Sequence, residues 1–494
     1  MSSPASHARI PGELLMAALA ASLIALASCN PGPQAGGGIG GTGSITSVAS
    51  GPVTKLNSVF VSGTEYDNSN TVYCMDGEPC SEENNLKLGM VVLVKGTAQS
   101  GPEGIVTRAA DTITFEETIE GVVQSVSSDG STVIVLGQVI TLNQKTVIDP
   151  SIPDQSILSL KPGLDIVEVS GFVAGDGHIL ATLIMKQTGT PHYEVQGLIK
   201  NHDAETQRFQ IGQLVVDYSG ADIANLVSDG TTNWDNRLVH VRGDQWHLLS
   251  DVPHGALLTA TRVKPLGLMV DDSPDAKIEG FITHFSAPGS FTLHNHSIEV
   301  LETTKFRGGT ADDLAPGAHV FVHGALVKQV LEADEILFKE NLHLEANVKS
   351  IDLRSRTVTL VGLDDLAVET DAQTVIEDTG VHTRFENIRV GDHLKVHARL
   401  LAGQRVVATE LERTGQSSVI AFEAPLQSAT DPQFTLAGIT VDTRDIADDQ
   451  FIGPYGVIGR MAFFQNAAVG RQVWVKGILS ETRPIWNTVG MRGQ

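Results

Sequence analysis

Histidine is the residue of this chain whose spacing most invites a chemical reading. Residues 317–324 read GAHVFVHG, with His319 and His323 flanking an apolar run. Residues 293–296 read LHNH, with His294 and His296 two positions apart. Neutral imidazole is a common metal ligand, so these segments are the first places to look for a bound ion. A strand rises about 3.3 Å per residue, which sets His319 and His323 roughly 13 Å apart, whereas zinc ligands each sit about 2.1 Å from the ion. One strand cannot bring that pair to one metal. His294 and His296 are about 7 Å apart on one face and remain weak candidates, although Asn295 between them suits the left-handed residue of a hairpin tip. Asp pairs at 271–272, 312–313, 364–365 and 448–449 lack the spaced ladder, Gly and closing Glu of a calcium loop, and read as solvated turns. The sequence contains no G-x-S-x-G, H-E-x-x-H or G-x-x-x-x-G-K-[ST]. The expectation is therefore no catalytic residue, no metal and no cofactor.

The elements that carry these histidines recur. GAHVFVHG is echoed by GMVVLVKG (89–96), GLDIVEVSG (163–171), NRLVHVRG (236–243), GDHLKVHA (391–398) and GRQVWVKG (470–477). A period of about 75 residues means tandem copies of one unit. Ahead of each lies an apolar alternation broken by a tight turn, as in VFVSGTEYD (59–67), VIVLGQVIT (133–141) and FTLAGITVD (434–442), which predicts a β-hairpin. A short opening strand (IEGVVQSV, YEVQGLIK, IEGFITHF, LEANVKSI), an Leu-x-x-Gly turn and a closing strand (ILATLIMK, VVATELER) complete the unit. Five strands and one helical turn in some 70 residues suit a small closed barrel of OB-like layout. The fold class expected is all-β, a tandem array of about six such barrels. The boundaries read as repeat 1 at 43–118, repeat 2 at 119–190, repeat 3 at 191–265, repeat 4 at 266–339, repeat 5 at 340–414 and a divergent repeat 6 at 415–494.

Strand alternation then assigns faces. Val92/Val94, Val239/Val241, Val320/Val322, Leu394/Val396 and Val473/Val475 are uniformly aliphatic and should point into each barrel. The other face carries His319/Phe321/His323, His393/Lys395/His397 and Gln472/Trp474/Lys476, so histidine is one occupant of a tolerant polar rung on the outside. Phe321, Trp474 and Leu93 on that face are candidate surface contacts, or pack one repeat against the next.

The N-terminus is of another kind. Leu14 to Leu26 is a 13-residue apolar run of signal-peptide length, and it ends in Leu26-Ala27-Ser28-Cys29, which resembles the bacterial lipobox. That resemblance implies removal of residues 1–28 and lipidation of Cys29, with a Gly/Pro-rich tether at 29–42. Pro31, where an Asp would resemble an inner-membrane retention signal, favours the outer membrane, the protein facing the periplasm or the cell surface. Cys74 and Cys80, in CMDGEPC, are then the remaining cysteines of an exported chain, and read as a local disulfide.

The FxLxGxxV…LxxGxxVxVxG…ATxI unit is similar to the bacterial repeat family catalogued as the domain of unknown function numbered fifty-six sixty-six. The likeness spans roughly residues 43–490. It implies small β-barrels behind a lipobox in an envelope protein, and it carries no catalytic residues to transfer.

Charge excludes one class of partner. The chain has 34 basic against 58 acidic residues, a formal net charge of −24, and no basic run with which to displace counterions from nucleic acid. The partners expected are a membrane, through the lipid anchor, and a protein or glycan. The functional expectation is a non-enzymatic envelope lipoprotein acting as a multi-barrel binding or spacing module. The competing reading is an enzyme or metal-handling protein with a site between repeats 3 and 4, near His240, His247, His254, His294 and His296.

Overall fold

Apolar alternation in short runs becomes strand almost everywhere. The computed structural model describes residues 44–491 apart from 76–78, 101–105, 129, 144, 175–176, 190–191, 225, 227–231, 267–270, 288, 294–295, 380, 402–403, 454 and 481–482. Cys29, the signal segment and His294 lie outside the described residues.

Repeat 4 shows the unit most plainly. Its strands are Ser273–Ala287, Ser290–Leu293, His296–Arg307, His319–Val327 and Val330–Phe338, with a single 3-10 turn, Ala311–Asp313, before the fourth. The long first strand pairs with both the second and the fourth, the second with the third, and the third runs parallel to the fifth, which returns antiparallel to the fourth. The ring 1-2-3-5-4-1 is closed. Repeats 2 and 5 close in the same way. In repeat 3 the first strand is divided at Ile199, between Tyr193–Leu198 and Lys200–Asp203. In repeat 1 a single bridge, Asp67 to Ala109, completes the ring. Repeat 6 departs: among the described residues no ladder joins Ile439–Asp442 to the closing strand Arg483–Met491, and Phe451–Gly453 lies beside that strand instead. The architecture is thus several small five-stranded barrels in tandem.

The two glycines of the recurring motif do different work. The first ends the helical turn: Gly317 has φ +86°, and Gly89, Gly163, Gly391 and Gly470 are likewise left-handed, with Asn236 in their place in repeat 3. The last sits at a β-bulge. The ladder slips between His323 and Gly324, and a Cβ on Gly324 would lie 1.9 Å from the Glu332 carbonyl oxygen.

The aliphatic face is interior, as the alternation requires. Val320, Val322, Leu394 and Val396 are all at most 1% exposed. The opposite face needs a correction. The histidines on it lie outside their own barrel but do not lie on the outside of the molecule: His393 is 1% exposed, and His240 and His397 are also buried. The reason is that the barrels share sheets. Three sheets of 11, 12 and 13 strands join repeat 1 to repeat 4, repeat 2 to repeat 3, and repeat 5 to repeat 6. Each junction is made by first strands. Ser44–Lys55 runs parallel to Ser273–Ala287, with Ser47 opposite Asp275. Ile119–Val126 runs antiparallel to Tyr193–Leu198, and Leu342–Asp352 antiparallel to Val419–Thr430. A polar rung beside such a seam is covered by the neighbouring repeat. Val48 of repeat 1 enters the core of repeat 4, and Leu183 and Met185 of repeat 2 enter the core of repeat 1. Leu93 packs against the repeat 4 core, an inter-repeat contact rather than a free surface.

Candidate functional site

The polar rungs that remain open converge on one space. A cavity of about 1750 Å³ lies between the repeats, walled by residues of repeats 1, 2, 4, 5 and 6, so all three sheets contribute. The outer face of repeat 4 forms its most elaborate wall. Successive side chains on Ser273–Ala287 and His319–Val327 alternate faces, which lines up Lys277, Glu279 and Phe281 beside His323, Phe321 and His319. The facing walls carry Thr182 and Lys145 of repeat 2, His343 of repeat 5, and Glu423 and Arg471 of repeat 6.

The charges in this cavity are arranged in pairs. His319 Nε2 lies 3.3 Å from Glu279 Oε1 and Lys339 Nζ 3.2 Å from Glu279 Oε2. Burial alone would raise the Glu279 carboxyl, but the hydrogen bond from His319 and the Lys339 ammonium hold it at about 2. Asp275, just behind the wall, faces His323 at 3.2 Å, Lys277 at 2.9 Å and Arg108 at 2.9 Å, and accepts a hydrogen bond from Ser47 at 2.8 Å. Burial opposes its ionisation, yet the surrounding donors drive its pKa far below the ordinary carboxylate range. Lys145 of repeat 2 meets Glu340 of repeat 5 at 2.5 Å, and Thr409 donates to the same carboxylate at 2.8 Å. Against the cost of burial these partners keep Glu340 at about 2. Five Lys or Arg and six Asp or Glu line the cavity, a near balance in a chain of net charge −24. Apolar contributions come from Phe281, which stacks on His319 at 4.6 Å, from Phe172 at 5.1 Å from the same ring, and from Leu88 and Val469, exposed on turns.

Other histidines are buried away from the cavity lining. His240 Nε2 is 2.8 Å from Glu194 and its Nδ1 3.5 Å from Glu116. Desolvation would lower its pKa, but the two carboxylates raise it. His393 bridges Asn347 at 2.8 Å and Glu345 at 3.1 Å. His397 stands edge-on to His343, ring centres 4.7 Å apart, and burial beside that second imidazole pushes its pKa down to about 4.

The residues singled out in the sequence are therefore placed as follows. Phe321 is half-buried in the cavity wall with Lys339 Nζ 5.9 Å from its ring centre. Trp474 lines a second, smaller cleft. His296 stands opposite Leu293 across its hairpin and is interior, its pKa pushed by burial to about 4. The structure does not gather the histidines of repeats 3 and 4: His240 is in a seam, His247 is exposed, and His254 stacks on Tyr455 of repeat 6. Among the described residues no three His, Cys, Asp or Glu side chains form a group able to hold a metal ion. Cys74 and Cys80 are joined in a disulfide. No described helix is long and apolar enough to cross a membrane. Sequence reasoning missed the cavity, because its walls come from repeats distant along the chain. The one available signal was that the polar rungs carry oppositely charged residues in different copies.

Residues 120–185, 279–336 and 345–412 match the model of a family described as Domain of unknown function (DUF5666). These three segments are DUF5666 domains in tandem. They fall in repeats 2, 4 and 5, the three in which five undivided strands close the ring through ladders. Each sheet thus joins one matched DUF5666 domain to one more divergent copy. No curated protein matches the chain.

Proposed function

We propose that this chain is a non-enzymatic binding module of the cell envelope, held to the outer membrane by lipid on Cys29, with its ligand seated in the cavity between the barrels. The observation that carries this reading is the cavity itself, about 1750 Å³ with contributions from all three sheets. Small-molecule sites are typically about 300–1000 Å³, so the space suits a ligand larger than a common cofactor. Its charges are paired within the protein, as at Glu279, Asp275 and Glu340, so an uncharged or zwitterionic ligand enters without stranding a buried ion. No nucleophile–base pair is needed for this role. The test is titration of the purified chain with the uncharged apolar dye N-phenyl-1-naphthylamine. Saturable fluorescence enhancement is expected, and Ala315→Trp, which places an indole at an exposed turn on the cavity wall, should abolish it without lowering the unfolding midpoint. Equal enhancement in both proteins would contradict the reading.

A further inference from the structure

We infer that the second cleft is a binding site for a short uncharged oligosaccharide, with Trp474 as the platform on which one sugar ring stacks. This goes beyond the central cavity and does not depend on what fills it. The cleft measures about 660 Å³ and lies between repeats 2 and 6, with His254 of repeat 3 at its edge. Thr141 is the residue that lines both spaces.

Trp474 lies on the strand Gln472–Ser480, directly opposite Gly490 on Arg483–Met491. A Cβ at position 490 would fall 2.3 Å from Cζ2 of the indole and 2.4 Å from its Cε2. The bare backbone of Gly490 is therefore what lets the ring lie over the neighbouring strand, and Trp474 stays half-buried at the wall of the cleft. Lys476, two residues along the same strand, holds its Nζ 5.3 Å from the ring centre. Tyr455 forms another part of the wall and is fixed at both ends. Its hydroxyl donates to the Gly137 carbonyl of repeat 2 at 3.4 Å, and its ring stacks on His254 at 6.0 Å.

Val126, Ile134, Val139, Ile452, Val457 and Met491 add apolar surface around the two rings, and the polar part of the lining is mostly hydroxyl and amide. Ser125, Ser128 and Thr132 come from repeat 2, and Gln450 and Thr488 from repeat 6, hydrogen-bonded to each other at 3.2 Å. Such groups both donate and accept, which matches a ligand whose rim is hydroxyls and whose ring face is C–H. Asp449 and Lys476 are the ionic side chains of the lining, one of each sign, so the site selects no net charge. An aromatic surface beside hydroxyl and amide groups suits a pyranose, whose C–H face meets the ring while its hydroxyls meet the polar rim.

The experiment is calorimetric titration of the full chain with maltohexaose, cellohexaose and chitohexaose, with adenosine as a competing flat ligand. At least one hexasaccharide should bind saturably. Trp474→Ala should weaken it about tenfold or more, whereas Trp246→Ala, whose indole packs on Tyr193 in repeat 3, should leave it unchanged. Gly490→Ala retains the indole but displaces it, and should weaken binding while the thermal unfolding midpoint holds. No binding of any hexasaccharide, undiminished binding in both position-474 and position-490 variants, or preference for adenosine would each overturn the assignment.

Discussion

His296 and His397 are the residues at which pH acts most directly on this fold. Both are buried and both titrate near 4 rather than 6.5, so the folded state resists their protonation. Their contribution is fully present above pH 6.5 and is lost as pH falls from 6.5 to 4, on the order of 3 kcal/mol each. Glu116, Glu279 and Glu340, held at about 2, lose theirs only between about 4.5 and 2. His240 has the opposite sign: its pKa is raised, so its contribution is present below 6.5 and fades as pH rises through the folded value. Urea midpoints should therefore drop between pH 6.5 and 4.5, ahead of the carboxylates, and His296→Leu should flatten that drop. An unchanged slope would show that His296 is not the group responsible. Asp275 tests the same scale from the acidic side. Asp275→Ala leaves Arg108, Lys277 and His323 facing one another without their shared anion, at a cost of about 3–5 kcal/mol in urea unfolding at pH 7.

At the scale of elements, the strand pattern was legible because each copy repeats it, and the physical reasons are now specific. Alternation placed Val320 and Leu394 in the core correctly. The left-handed turn before the fourth strand was legible from Leu-x-x-Gly, and Gly317 has that conformation. The reason for the closing glycine was not legible, because a bulge leaves no signature beyond the absence of a side chain. Repeat 5 supplies a natural comparison. There the ladder also slips, between His397 and its neighbour, but the bulge residue is Ala398, fully buried. Gly324→Val should consequently lower stability by about 1–3 kcal/mol, since a branched Cβ meets the Glu332 carbonyl, whereas Ala398→Gly should change it by less. Thermal unfolding of the two variants compares them directly, and equal losses would remove the bulge as the explanation. Face assignment was half legible for a related reason. Alternation tells which side of a strand is apolar, but not whether the polar side meets water or another repeat, and His240 of repeat 3 meets Glu116 of repeat 1.

Over the whole molecule, the order of copies along the chain does not give their order in space. Repeats 2 and 3, and 5 and 6, pair as neighbours, but repeat 1 pairs with repeat 4, and nothing in the periodicity distinguishes that arrangement from a linear string. The seam is built from interactions between residues more than two hundred positions apart, such as Ser47 with Asp275. The cavity follows from the same arrangement: it needs repeat 4 to turn its outer face toward repeats 2, 5 and 6, with Lys145 reaching Glu340 between two of them. Pairing of the first and fourth repeats within one chain is therefore the claim on which the site depends. Thr46 and Asp272 are both exposed at that seam, the Thr46 hydroxyl donating to the Asp272 carbonyl at 3.3 Å, so thiols placed there fall within the span of a short bifunctional cross-linker. A Thr46→Cys, Asp272→Cys double variant, treated with the thiol cross-linker bismaleimidoethane and digested for mass spectrometry, should yield one intramolecular cross-linked peptide joining residues 46 and 272. Free thiols, or a cross-link only between two chains, would contradict the account.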